Sequence, residues 1–105
     1  MSDQALQIDV QIIRKGKSVL RAINHRLRQQ ILGLIHQKGR MTVTDIYQEL
    51  KIEQSVASMH LGILRVAMFL TRKRQGKNIF YSVNYERVKH VHLHCVNLVQ
   101  QVAAQ

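Results

Sequence analysis

A chain of 105 residues with 46% hydrophobic content is large enough for one core and too small for two. Its formal charge of +10, from 16 Lys and Arg against 6 Asp and Glu, favours polyanionic partners, nucleic acid before anionic membrane or acidic protein. No apolar run approaches the roughly 18 residues that span a bilayer, and a lone cysteine, Cys95, excludes an intrachain disulfide framework and suits a reducing cytoplasm.

The N-terminal stretch MSDQALQIDVQ carries acids and no continuous apolar core, so it reads as no signal peptide. Residues 4–23 read as a first helix. Leu6, Val10, Ile13, Lys17 and Leu20 follow 3–4 spacing, with Ile12, Val19 and Ile23 widening the stripe. Gly16 is placed to break or bend it. Asn24 is the expected cap of a second helix over His25–Gln37, with Leu27, Ile31, Leu34 and Ile35 on one face and Lys38-Gly39 ending it. His25 and His36 stand about 16 Å apart along that helix and cannot share a ligand on it.

The stretch from Thr42 to Val83 organises the rest. Thr42 is the expected N-cap of a third helix, with Asp45 three residues on, and Val43, Ile46, Tyr47 and Leu50 make its inner face. Lys51-Ile52-Glu53 reads as a turn, with Ile52 plugging the angle to a fourth helix over about residues 54–67. Ala57, Leu61, Leu64 and Ala67 face inward there, with Val56, His60 and Ile63 beside them. The opposite face carries Gln54, Ser55, Ser58, Met59 and Gly62, small and polar groups that let a helix lie close to base edges. Phe69–Arg74 and Asn78–Val83 then read as strands around a Gln75-Gly76 tip, with Arg72, Lys73, Arg74 and Lys77 crowding it. Ile79, Phe80, Tyr81 and Val83 are the expected tethers to the core. Long cationic side chains on such a hairpin reach phosphates or a narrow minor groove.

Charge is distributed to match. Eight Lys or Arg and no acid lie between Val10 and Thr44, and Arg65, Arg72, Lys73, Arg74 and Lys77 stand without an acid from Gln54 to Tyr85. An acid-free run that coincides with a helix-hairpin pattern points to a nucleic-acid face rather than to a merely solvated basic surface. The final helix, residues 86–103, repeats Val88, His92, Cys95, Val99 and Val102 at a period near 3.5, with Val91 and Leu98 alongside. A small domain has its core in the central helices, so this extra apolar seam implies a second copy of the chain, joined by the first helix.

The run QSVASMHLGILRVAMFLTRKRQGKNIFYSV, residues 54–83, resembles the arsenical-resistance-repressor (ArsR-type) family of small bacterial regulators. That family's pattern is S-x-x-S-x-H-L-x-x-L-R-x-A-G-hydrophobic, a basic hairpin, then Y-S. Ser55, Ser58, His60, Leu61, Leu64, Arg65, Ala67, Tyr81 and Ser82 fill its places, and LRAINHRLRQQILGLI upstream is similar to the family's second-helix lead-in. The likeness covers about residues 18–100. It implies a mainly α winged helix-turn-helix of five helices plus a two-stranded wing, one domain over residues 1–105. The helix-turn-helix would span residues 42–67 and the wing 69–83, with dimerisation helices at 4–23 and 86–103. It implies a cytoplasmic homodimeric repressor on double-stranded DNA with an inverted-repeat operator, with no membrane partner. DNA contacts would fall at Gln54, Ser55, Ser58, Met59 and Arg65, and at Arg72, Lys73, Arg74 and Lys77 in the wing. Met59 departs from the polar residue usual there and could make only apolar contact to bases. Met68 departs from the usual helix-ending glycine.

The family's metal sites are not matched. The stretch Tyr47–Ile52 has no cysteine pair, and Tyr85, Arg87, Leu98 and Gln101 occupy the places of the last-helix ligands. Relatives that sense redox state use two cysteines, where this chain has one. His90 and His94, one turn apart, are the remaining metal candidates, an incomplete set; the plainer reading solvates both and packs His92 beside Cys95. No cofactor is implied and the effector is unidentified. The alternatives are a metal sensor using His90 and His94, and a winged-helix protein-interaction module with Met59 in an apolar patch. His60 reads as a packed, hydrogen-bonded residue. No nucleophile–base pair, carboxylate pair or phosphate-cradling glycine loop is visible, so an enzyme is not expected.

Overall fold

In the computed structural model, residues 6–103 are described; positions 4 and 5 of the expected first helix lie outside them. The order is α1 (Val10–Ile23), α2 (Arg26–Lys38), α3 (Val43–Leu50), α4 (Gln54–Val66), β1 (Leu70–Gln75), β2 (Asn78–Val83) and α5 (Tyr85–Ala103). Five helices and one antiparallel hairpin make the winged helix-turn-helix expected from the sequence.

Helix boundaries follow the side chains able to satisfy free backbone groups. α1 begins at Val10, later than expected, because Asp9 accepts from the N–H groups of Gln11 (2.9 Å) and Ile12 (3.4 Å). Leu6 and Ile8 therefore precede the helix. It runs unbroken through Gly16. The cap of α2 is His25, whose Nδ1 accepts from Leu27 N–H at 3.2 Å. Asn24 stands one residue before this cap and instead closes α1, its N–H bonding the Leu20 carbonyl at 2.9 Å. Thr42 and Asp45 form the full reciprocal capping box on α3. Gly39, at φ +88°, ends α2 as its sequence position implied.

The α3–α4 turn passes through Lys51 in the left-handed region (φ +55°) with Ile52 packed against the core. α4 ends in a Schellman motif: Phe69 N–H bonds the Leu64 carbonyl and Met68 N–H the Arg65 carbonyl, both at 2.9 Å. Met68 takes the left-handed conformation itself (φ +71°), which costs a non-glycine residue about 1 kcal/mol. The Asn84 side chain repays some of this by donating to the Met68 carbonyl at 2.9 Å.

Ile31, Ile35, Ile46, Leu61, Leu64 and Phe69 are the large fully buried side chains. Phe69 and Leu70 anchor the hairpin, and burying Phe69 alone contributes roughly 1.5–3 kcal/mol. The expected tethers Ile79, Phe80, Tyr81 and Val83 are only half-buried. β1 and β2 pair from Leu70↔Val83 to Gln75↔Asn78. The tip is thus Gly76-Lys77, one residue later than expected, with Gly76 at φ +62°. Met41, which no periodicity singled out, is 3% exposed and exchanges both backbone hydrogen bonds with Tyr81.

The chain measures 63 × 27 × 22 Å, with a radius of gyration of 17.3 Å, against about 13 Å for a well-packed chain of this length. The excess comes from the outer helices. Val10, Ile12 and Ile13 of α1 and Leu98, Val99 and Val102 of α5 are all exposed.

Candidate nucleic-acid interface

All nine residues nominated from the sequence are exposed. α4 buries Ala57, His60, Leu61 and Leu64 on one side, so Gln54, Ser55 and Ser58 emerge on the other. Met59 and Arg65 also line a groove of about 640 Å³ between α4 and α1. Met59 therefore stands at the α1 edge of the exposed face. In the hairpin, Arg72 and Arg74 alternate with Lys73, and Lys77 sits in the tip. Among the described residues the single ion pair is Lys38–Glu49, exposed and 3.9 Å long. The cations of α4 and the hairpin are thus not neutralised within the described chain, and they remain available to an external polyanion.

One contact on the hairpin comes from a residue that sequence pattern does not mark. The Arg40 guanidinium lies 4.1 Å from the Phe80 ring centroid, and its Nη1 donates to Gln75 Oε1 at 2.8 Å. Nothing in local periodicity marks Arg40, since its partners lie at least 35 residues away. At the other end, Arg87 of α5 donates from Nε to the Ala67 carbonyl at 3.0 Å, holding α5 to the end of α4.

The height of α4 is set by a buried polar junction. The last four carbonyls of α1 are all satisfied: Leu20 by Asn24 N–H, Arg21 by Arg28 Nη2 (3.1 Å), Ala22 by Arg28 Nε (2.6 Å), and Ile23 by Gln29 Nε2 (2.9 Å). Arg28 is 7% exposed and has no acidic partner among the described residues. Its charge rests at the negative end of the α1 dipole. Its Nη1 reaches His60 Nδ1 of α4 at 3.2 Å, and the His25 ring tilts against His60 with centroids 4.8 Å apart. The packed, hydrogen-bonded reading of His60 is the one the structure gives.

Burial, then the electrostatic effect of neighbouring His25 and Arg28, holds His60 below its ordinary pKa of 6.5. Protonation would turn the acceptor that faces Arg28 into a second cation. As pH falls, the unfolded chain takes up this proton first. The His60 contribution to stability is therefore complete above about pH 6.5 and is lost as pH falls toward the lower folded-state value. Thermal melts at about pH 7.5 and about pH 5 should show a lower midpoint in acid, and His60→Asn should reduce the difference. An equal acid loss in the variant would remove His60 from the explanation.

His90 and His94 are exposed and line a groove against α1. Among the described residues, no three His, Cys, Asp or Glu side chains come together to hold a metal ion. No helix there is long and apolar enough to cross a membrane.

An exposed small-residue face on the second helix of a helix-turn-helix, flanked by a cationic hairpin braced to the core, defines a DNA-binding transcriptional regulator rather than an enzyme. Comparison with known proteins agrees. The family model described as bacterial regulatory protein, arsR family, matches residues 26–68. The transcriptional repressor PagR of Bacillus anthracis is 32% identical over 83 residues, 79% of this chain and 83% of PagR. Its crystal structure superposes with a TM-score of 0.64 at 30% identity, covering 81% of this chain and 98% of that one. The arsenical resistance operon repressor of Bacillus subtilis (strain 168) is 30% identical over 78 residues, 74% of each chain. The solution structure of the homodimeric winged helix-turn-helix domain Mb0332 of Mycobacterium bovis shares the fold. Its TM-score is 0.72 at 19% identity, with 99% of this chain and 96% of that one covered. The chain belongs to the arsR family.

Proposed function

We propose that this regulator is a cytoplasmic repressor made of one domain per chain, and that it acts as a homodimer on an inverted-repeat operator. The observation that carries the reading is that Gln54, Ser55 and Ser58 on α4, Arg65, and Arg72, Lys73, Arg74 and Lys77 on the wing are all exposed within one acid-free stretch of the chain. α4 enters the major groove with Gln54, Ser55 and Ser58 at base edges, and Met59 offers only carbon and sulfur to a thymine methyl. The wing cations neutralise phosphates and set register. The exposed apolar faces of α1 and α5 support dimerisation through those helices, and the dimer's two-fold axis makes the operator palindromic. The names of PagR and of the arsenical resistance operon repressor support repression as the outcome. The mismatched ligand positions support control without the family's metal sites.

Selection on random duplexes should recover an inverted repeat, and recovery of unrelated sequences would sink the specific-regulator reading. Lys73→Ala should weaken binding about equally on every duplex and lower the salt-dependence slope by about 1. A loss confined to particular sequences would instead make Lys73 a base reader.

A further inference from the structure

The groove between α1 and α4 is an apolar trough bordered by cations. Val19 and Ala22 of α1 face Met59, Ile63 and Val66 of α4 across about 640 Å³, within the roughly 300–1,000 Å³ of pockets that hold small organic ligands. Its walls are almost wholly carbon, and Met59 and Val66 are 54% and 77% exposed. Two cations, Lys15 and Arg65, also line it, and no acid does. Neither cation makes an ion pair among the described residues. An apolar trough with unneutralised cations and no carboxylate selects a ligand with an apolar tail and an anionic head. A cationic amphiphile is disfavoured by the same charges, and a neutral one leaves them unused.

We propose that the α1–α4 groove is an effector site for an amphipathic organic anion, an alkyl carboxylate in chemical class, whose binding weakens the hold on DNA. The coupling rests on α4 being the DNA-reading helix. One wall of the groove is α4 itself, and Met59 and Arg65 belong both to the groove and to the proposed DNA face. An occupant draws Arg65 into pairing with its carboxylate and sets a negative head group beside the phosphates, so ligand and duplex oppose each other at one helix. By linkage, the duplex weakens ligand binding by the same factor.

The probe is dodecanoate, titrated by calorimetry into the full chain without DNA, beside dodecyltrimethylammonium. Saturable binding of one dodecanoate per chain is expected, with the cationic amphiphile roughly tenfold weaker or worse. Lys15→Glu should weaken dodecanoate about tenfold and narrow or reverse that preference. Val66→Glu, at an exposed position, should abolish dodecanoate binding while circular dichroism and melting midpoint stay as in the parent. No saturation, equal binding of both amphiphiles, or unchanged affinity in both variants overturns the site. Methyl signals of Met59 and Val66 that shift on dilution through dimer dissociation would also overturn it, because a second copy would then fill the groove. Fluorescence anisotropy on the selected duplex completes the test: saturating dodecanoate should weaken binding about tenfold, and unchanged affinity overturns the effector role. Absence of duplex binding without dodecanoate would be a failure of the DNA-binding reading, distinguishable because the DNA-free calorimetry is scored separately.

Discussion

Ser58→Glu is expected to abolish operator binding, with a loss of about a hundredfold or more at moderate salt. Ser58 is exposed in the middle of α4, flanked by Gln54, Ser55 and Gly62, so a helix can approach base edges there without a long side chain intervening. Glutamate introduces bulk and a negative charge facing the phosphates on both sides of the groove. It also has the better intrinsic helix propensity, so the fold should not suffer. An unchanged circular dichroism spectrum and melting midpoint, together with lost gel-shift activity, would confine the effect to recognition. Ser58→Ala, which removes one hydroxyl, should cost no more than about 1–2 kcal/mol. If Ser58→Glu binds the operator normally, α4 is not the reading helix.

Arg28→Ala is expected to be the most destabilising single change at a charged position. It removes one guanidinium that serves the Arg21 and Ala22 carbonyls and His60 Nδ1. Each buried acceptor left without a partner costs about 1–3 kcal/mol. With partial rehydration of the Arg21 carbonyl, the total should be near 3 kcal/mol, or about 10–20 °C in melting midpoint at fixed protein concentration. Arg28→Lys keeps the charge but cannot present a planar fork to three acceptors, so it should recover less than half of the loss. Full recovery by lysine would show that charge at the end of α1, not the fork, is what matters.

The elements and the exposed face were legible in the sequence because both are local properties. The Thr42–Asp45 capping box, Gly39 after α2, and Ala57, Leu61 and Leu64 at 3–4 spacing each involve residues within a few positions of one another. The small polar face of α4 is simply the complement of its buried stripe. Errors came where neighbouring groups compete for one role, or where strand pairing sets the outcome. Asn24 has the chemistry of an N-cap, yet α2 starts one residue later than expected and the His25 ring takes the capping role. Leu6 fits the helical spacing, but Asp9 starts the helix after it. The hairpin tip moved to Gly76-Lys77 because Gln75 pairs with Asn78, and register is a property of two strands.

By itself, then, the amino-acid sequence determined that this chain forms a helix-turn-helix with a cationic wing and runs without an acid from Gln54 to Tyr85. Hydrophobic period, turn chemistry and charge suffice for that, and each acts over a few residues. Only the tertiary structure decided that Arg28 and His60 join α1 to α4, that Arg40 contacts the wing, and that Met59 borders an apolar groove at the α1 edge of α4's exposed face. These arrangements join residues 32 or more positions apart in the two hydrogen-bonded cases and two packed helices in the third. Their cause is the need to satisfy buried donors and acceptors once the helices have packed, a condition that exists only in three dimensions.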